Sequence, residues 1–90
     1  MPLQESQVRE RVRRYLEENF LYMRPNFVLG DEDRLLERGV VDSMGVAEMV
    51  TFIEEAFDIK TTDDEISEAN LGSIRAIASF VASKRETMAA

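Results

Sequence analysis

The chain has 90 residues with eleven basic and eighteen acidic side chains, and its net charge of −7 repels phosphate backbones and argues against nucleic acid as a partner. A hydrophobic content of 44% and a charged content of 32% are ordinary for one globular domain, and the length allows a single modest core. There is no cysteine and no histidine, which excludes disulfides, thiolate nucleophiles and the imidazole of a Ser-His-Asp relay.

The opening Met1-Pro2-Leu3-Gln4-Glu5 lacks the charged-then-apolar order of a secretory signal, and no run approaches the length of a membrane helix. The expected setting is the cytoplasm, without a membrane partner and as a monomer. Val8, Val12, Tyr15, Leu16 and Phe20 recur at helical spacing, with Arg9, Glu10, Arg13, Arg14 and Glu17 on the other side, which predicts an amphipathic helix over 4–19. Pro25, Gly30 and Gly39 then punctuate residues 20–42, an expected long ordered loop pinned by Phe27, Leu29, Leu35, Leu36, Val40 and Val41.

Val46, Met49, Val50, Ile53 and Phe57 fall on one arc of a helix predicted over 43–58. Thr62-Asp63-Asp64-Glu65 has capping-box spacing and opens a short helix over 63–69. Asn70 is a candidate cap for a last helix over 71–84, whose buried stripe is Leu71, Ile74, Ile77, Ala78 and Val81; a tail over 85–90 is expected to fray. No stretch alternates with period two, so residues 1–90 read as one all-α domain, a small four-helix bundle.

The informative segment is Gly39-Val40-Val41-Asp42-Ser43-Met44-Gly45, an Asp-Ser pair where an apolar loop enters a helix. Taken alone it reads as a helix start, since Asp and Ser are both favoured N-caps. The face of that helix turned away from the core adds more. Met44, Glu48, Thr51 and Glu55 form a stripe, a methionine above carboxylates, suited to a basic and partly apolar partner groove.

Asp42-Ser43-Met44, followed by Glu54-Glu55-Ala56-Phe57-Asp58-Ile59, resembles the acyl carrier and peptidyl carrier protein family, with its Asp-Ser-Leu-like motif and a helix ending Glu-Glu-x-Phe-x-Ile/Val. The likeness spans nearly the whole chain: first helix, long apolar loop, short acidic third helix and closing apolar helix. It implies a carrier-type four-helix bundle in which Ser43 is the attachment point for 4′-phosphopantetheine, transferred from coenzyme A by a phosphopantetheinyl transferase. It also implies that Asp42 supports recognition by the transferase, and that Met44, Glu48, Thr51 and Glu55 dock partners. Those partners would be acyl- or aminoacyl-loading ligases or synthases with a basic surface. Ser43 is then modified and not catalytic, and the chain is a carrier and not an enzyme. Val46, Val50, Ile53, Phe57, Ile66, Leu71 and Ile74 would line any cavity shielding an acyl chain.

Carriers of primary fatty-acid synthesis usually have an acidic residue after Asp-Ser-Leu, where this chain has Gly45; peptidyl carriers usually have a glycine pair before the serine, where it has Gly39-Val40-Val41. Gly45 in a first turn is expected to loosen the helix start and suit a different partner surface. The closing helix looks more like those of peptidyl and specialised-metabolism carriers. The reading is therefore a carrier of a specialised or aminoacyl pathway, with the primary fatty-acid carrier as the alternative. A helical interaction module is the non-carrier alternative. Asp31-Glu32-Asp33 and Asp63-Asp64-Glu65 lack the alternating calcium loop, and Ser43 lacks the Gly-x-Ser-x-Gly elbow of a hydrolase, so no metal ligands or catalytic residues are assigned.

Overall fold

Burial of the periodic apolar faces organises the structure, a computed structural model that describes residues 4–89. In chain order the elements are α1 (Glu5–Asn19), α2 (Ser43–Phe57), a 3-10 turn (Asp63–Glu65), α3 (Glu68–Leu71) and α4 (Ile74–Ala89). Every regular element among the described residues is helical, as the absence of period-two alternation predicts.

Val8, Val12 and Leu16, one turn apart, are fully buried along α1, which lies against α4 and its buried Ile74, Ile77, Ala78 and Val81. The Gln4 backbone N–H donates to Gln7 Oε1 at 3.1 Å and closes the start of α1. Its end is closed by the Phe20 and Leu21 N–H groups, both donating to the Leu16 carbonyl. Leu21, Leu29, Leu35, Val40 and Val41 are buried and hold the long loop down; Phe27 is half-buried, and Leu36, expected with them, is 52% exposed. Two backbone bonds tie this loop to the C-terminal half, Leu35 N–H to the Gly72 carbonyl and Arg75 N–H to the Asp31 carbonyl, each 2.9 Å. The Arg13 guanidinium bridges α1 to the loop by donating to the Leu29 carbonyl and the Asp31 carboxylate.

Met49, Val50, Ile53 and Phe57 bury the inner face of α2, with Val46 half-buried at its edge. The helix closes at Phe57, one residue before the predicted end, because Asp58 adopts the left-handed conformation (φ 55°) and Ile59, buried, returns its N–H to the Glu54 carbonyl at 3.2 Å.

Three boundaries in the C-terminal half differ from expectation. The helix predicted over 63–69 is two pieces, because Ile66 leaves helical geometry (φ −81°, ψ 88°) and the Ser67 hydroxyl restarts the chain by accepting the Asn70 N–H at 3.3 Å. The last helix begins at Ile74, not at 71: Ser73 is its cap, its hydroxyl accepting the Ala76 N–H at 3.1 Å. Asn70 instead donates its side-chain amide to the Glu65 carbonyl at 2.9 Å. The segment expected to fray continues α4 to Ala89, with the Arg85 guanidinium donating to the Phe57 carbonyl at 3.0 Å. Ala, Arg, Glu and Met are also good helix formers. Residue 90 lies outside the described residues.

Candidate functional site

Asp42 ends the long loop in extended geometry, and its Oδ1 accepts the Gly45 N–H at 2.7 Å while its carbonyl accepts the Val46 N–H at 2.9 Å. Capping of α2 therefore belongs to Asp42. Ser43 is the first helical residue, exposed, and its hydroxyl has no hydrogen-bond partner among the described residues. The first N–H groups of a helix lack intrahelical partners and its dipole is positive there, so an anionic group attached to Ser43 would be stabilised by up to about 1 kcal/mol.

Gly45 is buried and faces inward, which corrects the expectation of a loosened, partner-facing turn. A Cβ there would meet the Phe20 ring at 3.0 Å, Val41 Cβ at 3.2 Å and the capping Asp42 Oδ1 at 3.3 Å. The glycine lets the loop and Phe20 close on the helix start, and so it helps to fix Ser43.

Met44, Glu48, Thr51 and Glu55 are all exposed on one face of α2, Met44 at 75%. Thr51 Oγ1 donates back to the Ala47 carbonyl at 3.3 Å. Behind the stripe, Tyr15 stacks on Phe52 with centroids 4.1 Å apart, and burial followed by the nearby Glu48 charge raises its phenol pKa. Glu54 lies beside the stripe but is committed elsewhere: it accepts the Thr61 N–H at 2.9 Å and the Thr61 hydroxyl at 2.8 Å, which lower its pKa. Between Gly39 and Ser73 nine acidic residues are set against Lys60 alone, while the rest of the chain carries nine acidic and ten basic residues.

Two concavities adjoin this helix start. An open groove beside Ser43 is bordered by Phe20, Leu36, Gly39 and Val41. A mainly apolar cleft of about 170 Å³ lies between the loop, the start of α2 and α3, and shares Leu36 and Val41 with the groove. Of the seven residues expected to line an acyl cavity, Val46, Ile66 and Leu71 line this cleft; Val50, Ile53, Phe57 and Ile74 are core. Leu35, Leu36 and Val41 were not anticipated there, because an apolar residue in an aperiodic loop carries no signal of the face it presents.

The acidic loop residues are spread into separate ion pairs, Asp31 with Arg9 and Arg13, Glu32 with Arg75, and Asp33 with Arg38. No three acidic side chains converge on a cation position among the described residues, and no described helix is long and apolar enough to cross a membrane. No family model matches the chain, and no curated protein matches it.

Proposed function

We propose that the protein is an acyl carrier: 4′-phosphopantetheine is attached to Ser43, and its thiol, which the cysteine-free chain itself lacks, holds an acyl or aminoacyl cargo as a thioester. The observation that carries this reading is the division of labour at the start of α2, where Asp42 performs the capping and the Ser43 hydroxyl stands exposed and uncommitted. A serine present only as a helix cap would be engaged with the N–H groups of the first turn.

The surroundings support the same reading. The groove and apolar cleft offer shelter near Ser43. The acidic stripe under Met44 suits a phosphopantetheinyl transferase and a loading ligase or synthase with basic, partly apolar docking surfaces. Asp42 would support transferase recognition while holding the loop. The carrier works in the cytoplasm without catalysis of its own, in a specialised or aminoacyl pathway; primary fatty-acid synthesis is the alternative. Because Gly45 is a packing residue, it no longer separates those pathways.

Intact-mass measurement after incubation with coenzyme A, magnesium and a broad-specificity phosphopantetheinyl transferase tests the proposal. The parent is expected to gain one phosphopantetheine mass and Ser43→Ala none. A folded parent that gains nothing with several transferases would leave the Met44-to-Glu55 stripe as the docking face of a helical interaction module.

A further inference from the structure

The loop between α1 and α2 presents a second surface, unlike the acidic face of α2. Buried Leu21 and half-buried Phe27 anchor its first half. Two successive turns join them, the Arg24 N–H donating to the Leu21 carbonyl and the Phe27 N–H to the Arg24 carbonyl, each at 2.9 Å. The residues between and just after the anchors are turned outward: Tyr22 is 68% exposed, Met23 77% and Val28 80%. Single exposed apolar residues are commonplace, but three of this size on one pinned loop make a patch that gains by being covered.

Cations frame the patch. The guanidinium carbons of Arg24 and Arg38 lie over the Phe27 ring, 4.4 and 4.6 Å from its centroid, and Arg38 also donates to the Val28 carbonyl at 3.5 Å. No acidic residue occurs from Phe20 to Gly30. From Asp31 to Glu37 every carboxylate is already paired, Glu37 with Arg34 at 3.6 Å and the others as described above. Arg24 has no carboxylate within ion-pair distance among the described residues, and its Nη1 donates instead to the Gly39 carbonyl at 3.1 Å. A full positive charge therefore stands beside exposed apolar surface in a chain of net charge −7. Tyr, Met and Arg are the side chains enriched in the centres of protein interfaces, and a guanidinium matches a carboxylate in a fixed planar geometry. The turns and the Gly39 bond already hold this surface in place, so docking has little ordering left to impose.

We infer that the face formed by Tyr22, Met23, Arg24 and Val28 docks a protein surface opposite in character to the partners of α2, one that is apolar and carries carboxylates. The whole-chain charge repels such a partner at a distance, but exposed charges more than about 8 Å apart are largely screened at physiological ionic strength, so the patch itself decides the contact. An anionic lipid surface is the poorer fit, because it faces the other carboxylates of the chain as well. Gly39, whose carbonyl holds Arg24, also borders the groove that opens at Ser43, so a partner seated on this face stands beside that serine. The inference does not depend on whether Ser43 is modified.

The test titrates the isotope-labelled full chain, at physiological ionic strength, with a synthetic amphipathic peptide of leucine, alanine and glutamate, and reads the amide resonances. A peptide with lysine in place of every glutamate and vesicles of mixed phosphatidylglycerol and phosphatidylcholine serve as comparisons. The glutamate peptide is expected to shift Tyr22, Met23, Arg24 and Val28, and the lysine peptide to shift Glu48 and Glu55 of α2 instead. Arg24→Glu is expected to weaken the glutamate peptide by about tenfold and leave the lysine peptide unaffected. Val28→Ser, at an exposed position that the fold does not use, is expected to weaken it several-fold. Loop resonances indifferent to the glutamate peptide, an equal response to both peptides, or variants that bind as the parent does would overturn the inference. So would a stronger response of the loop to vesicles, which would assign the face to lipid, or shifts that follow protein concentration alone, which would assign it to a second copy. Each of these outcomes leaves the carrier reading of Ser43 intact, because the phosphopantetheine mass gain tests it separately.

Discussion

The Asp42 carboxylate accepts the Gly45 N–H at 2.7 Å, so the residue before Ser43 bears the start of α2. Asp42→Ala is therefore expected to lower stability by about 1 kcal/mol in denaturant titration, with Asp42→Asn recovering most of it. Ser43→Ala, which removes no hydrogen bond, is expected within about 0.5 kcal/mol of the parent. A larger loss at Ser43 than at Asp42 would place the cap on the serine.

Gly45→Ala tests whether the first turn is tight or loose. An alanine would gain about 1 kcal/mol of helix propensity if the site were open. Here the added methyl meets Phe20, Val41 and the capping oxygen at 3.0 to 3.3 Å together, and overpacking of that kind costs about 1–3 kcal/mol. The expected result is a net loss of about 1 kcal/mol in the same titration. A stabilised variant would show that the neighbours yield freely.

The end of α4 is fastened where the sequence suggested fraying. Arg85 is half-buried and donates to the Phe57 carbonyl at the C-terminus of α2, where a cation also meets the negative end of the helix dipole. Arg85→Met is expected to cost about 1 kcal/mol and to speed hydrogen exchange in the last turns of α4. Unchanged exchange there would mean that the helix persists on local propensity alone.

Two carboxylates make stability depend on acid. Thr61 lowers the pKa of Glu54 through its N–H and then its hydroxyl, and the Lys84 hydrogen bond followed by the Thr62 N–H lowers that of Glu65. A carboxyl group with a lower pKa folded than unfolded favours the folded state when ionised. That contribution is complete well above the ordinary value of 4.5 and is lost as pH falls from there through the folded values. The thermal midpoint is expected to drop below about pH 4.5, and Glu54→Gln with Glu65→Gln to flatten the decline. A double variant that retains the parent's slope would assign the acid sensitivity to other groups.

The long helices were legible because their apolar residues repeat at 3.6-residue spacing, as in Val8, Val12 and Leu16 or Met49, Val50, Ile53 and Phe57. The exposed Met44-to-Glu55 stripe followed from the same geometry. The C-terminal half was harder to read because it offers competing caps: Thr62, Ser67, Asn70 and Ser73 all suit a helix start. Spacing cannot choose among them; Ile66 leaving helical geometry and Asn70 turning to the Glu65 carbonyl are decided by packing. Gly45 was misread for a similar reason, since its use depends on Phe20, a neighbour remote in sequence. Leu36 and Val41 lay in a loop without periodicity, so their place at the cleft could not be derived.

The ionised side chains of this anion are unevenly distributed along the chain. The excess negative charge resides in the part that contains α2 and α3, while the remainder, with nine acidic and ten basic residues, is close to balanced. In the field of a cationic surface the exposed carboxylates of Glu48 and Glu55, on the face of α2 that carries Met44 beside Ser43, favour orientations that bring that face forward before any contact forms. Rotational search is thereby shortened within roughly one Debye length, about 8 Å at physiological ionic strength, and added salt abolishes the advantage without altering the fit of the surfaces.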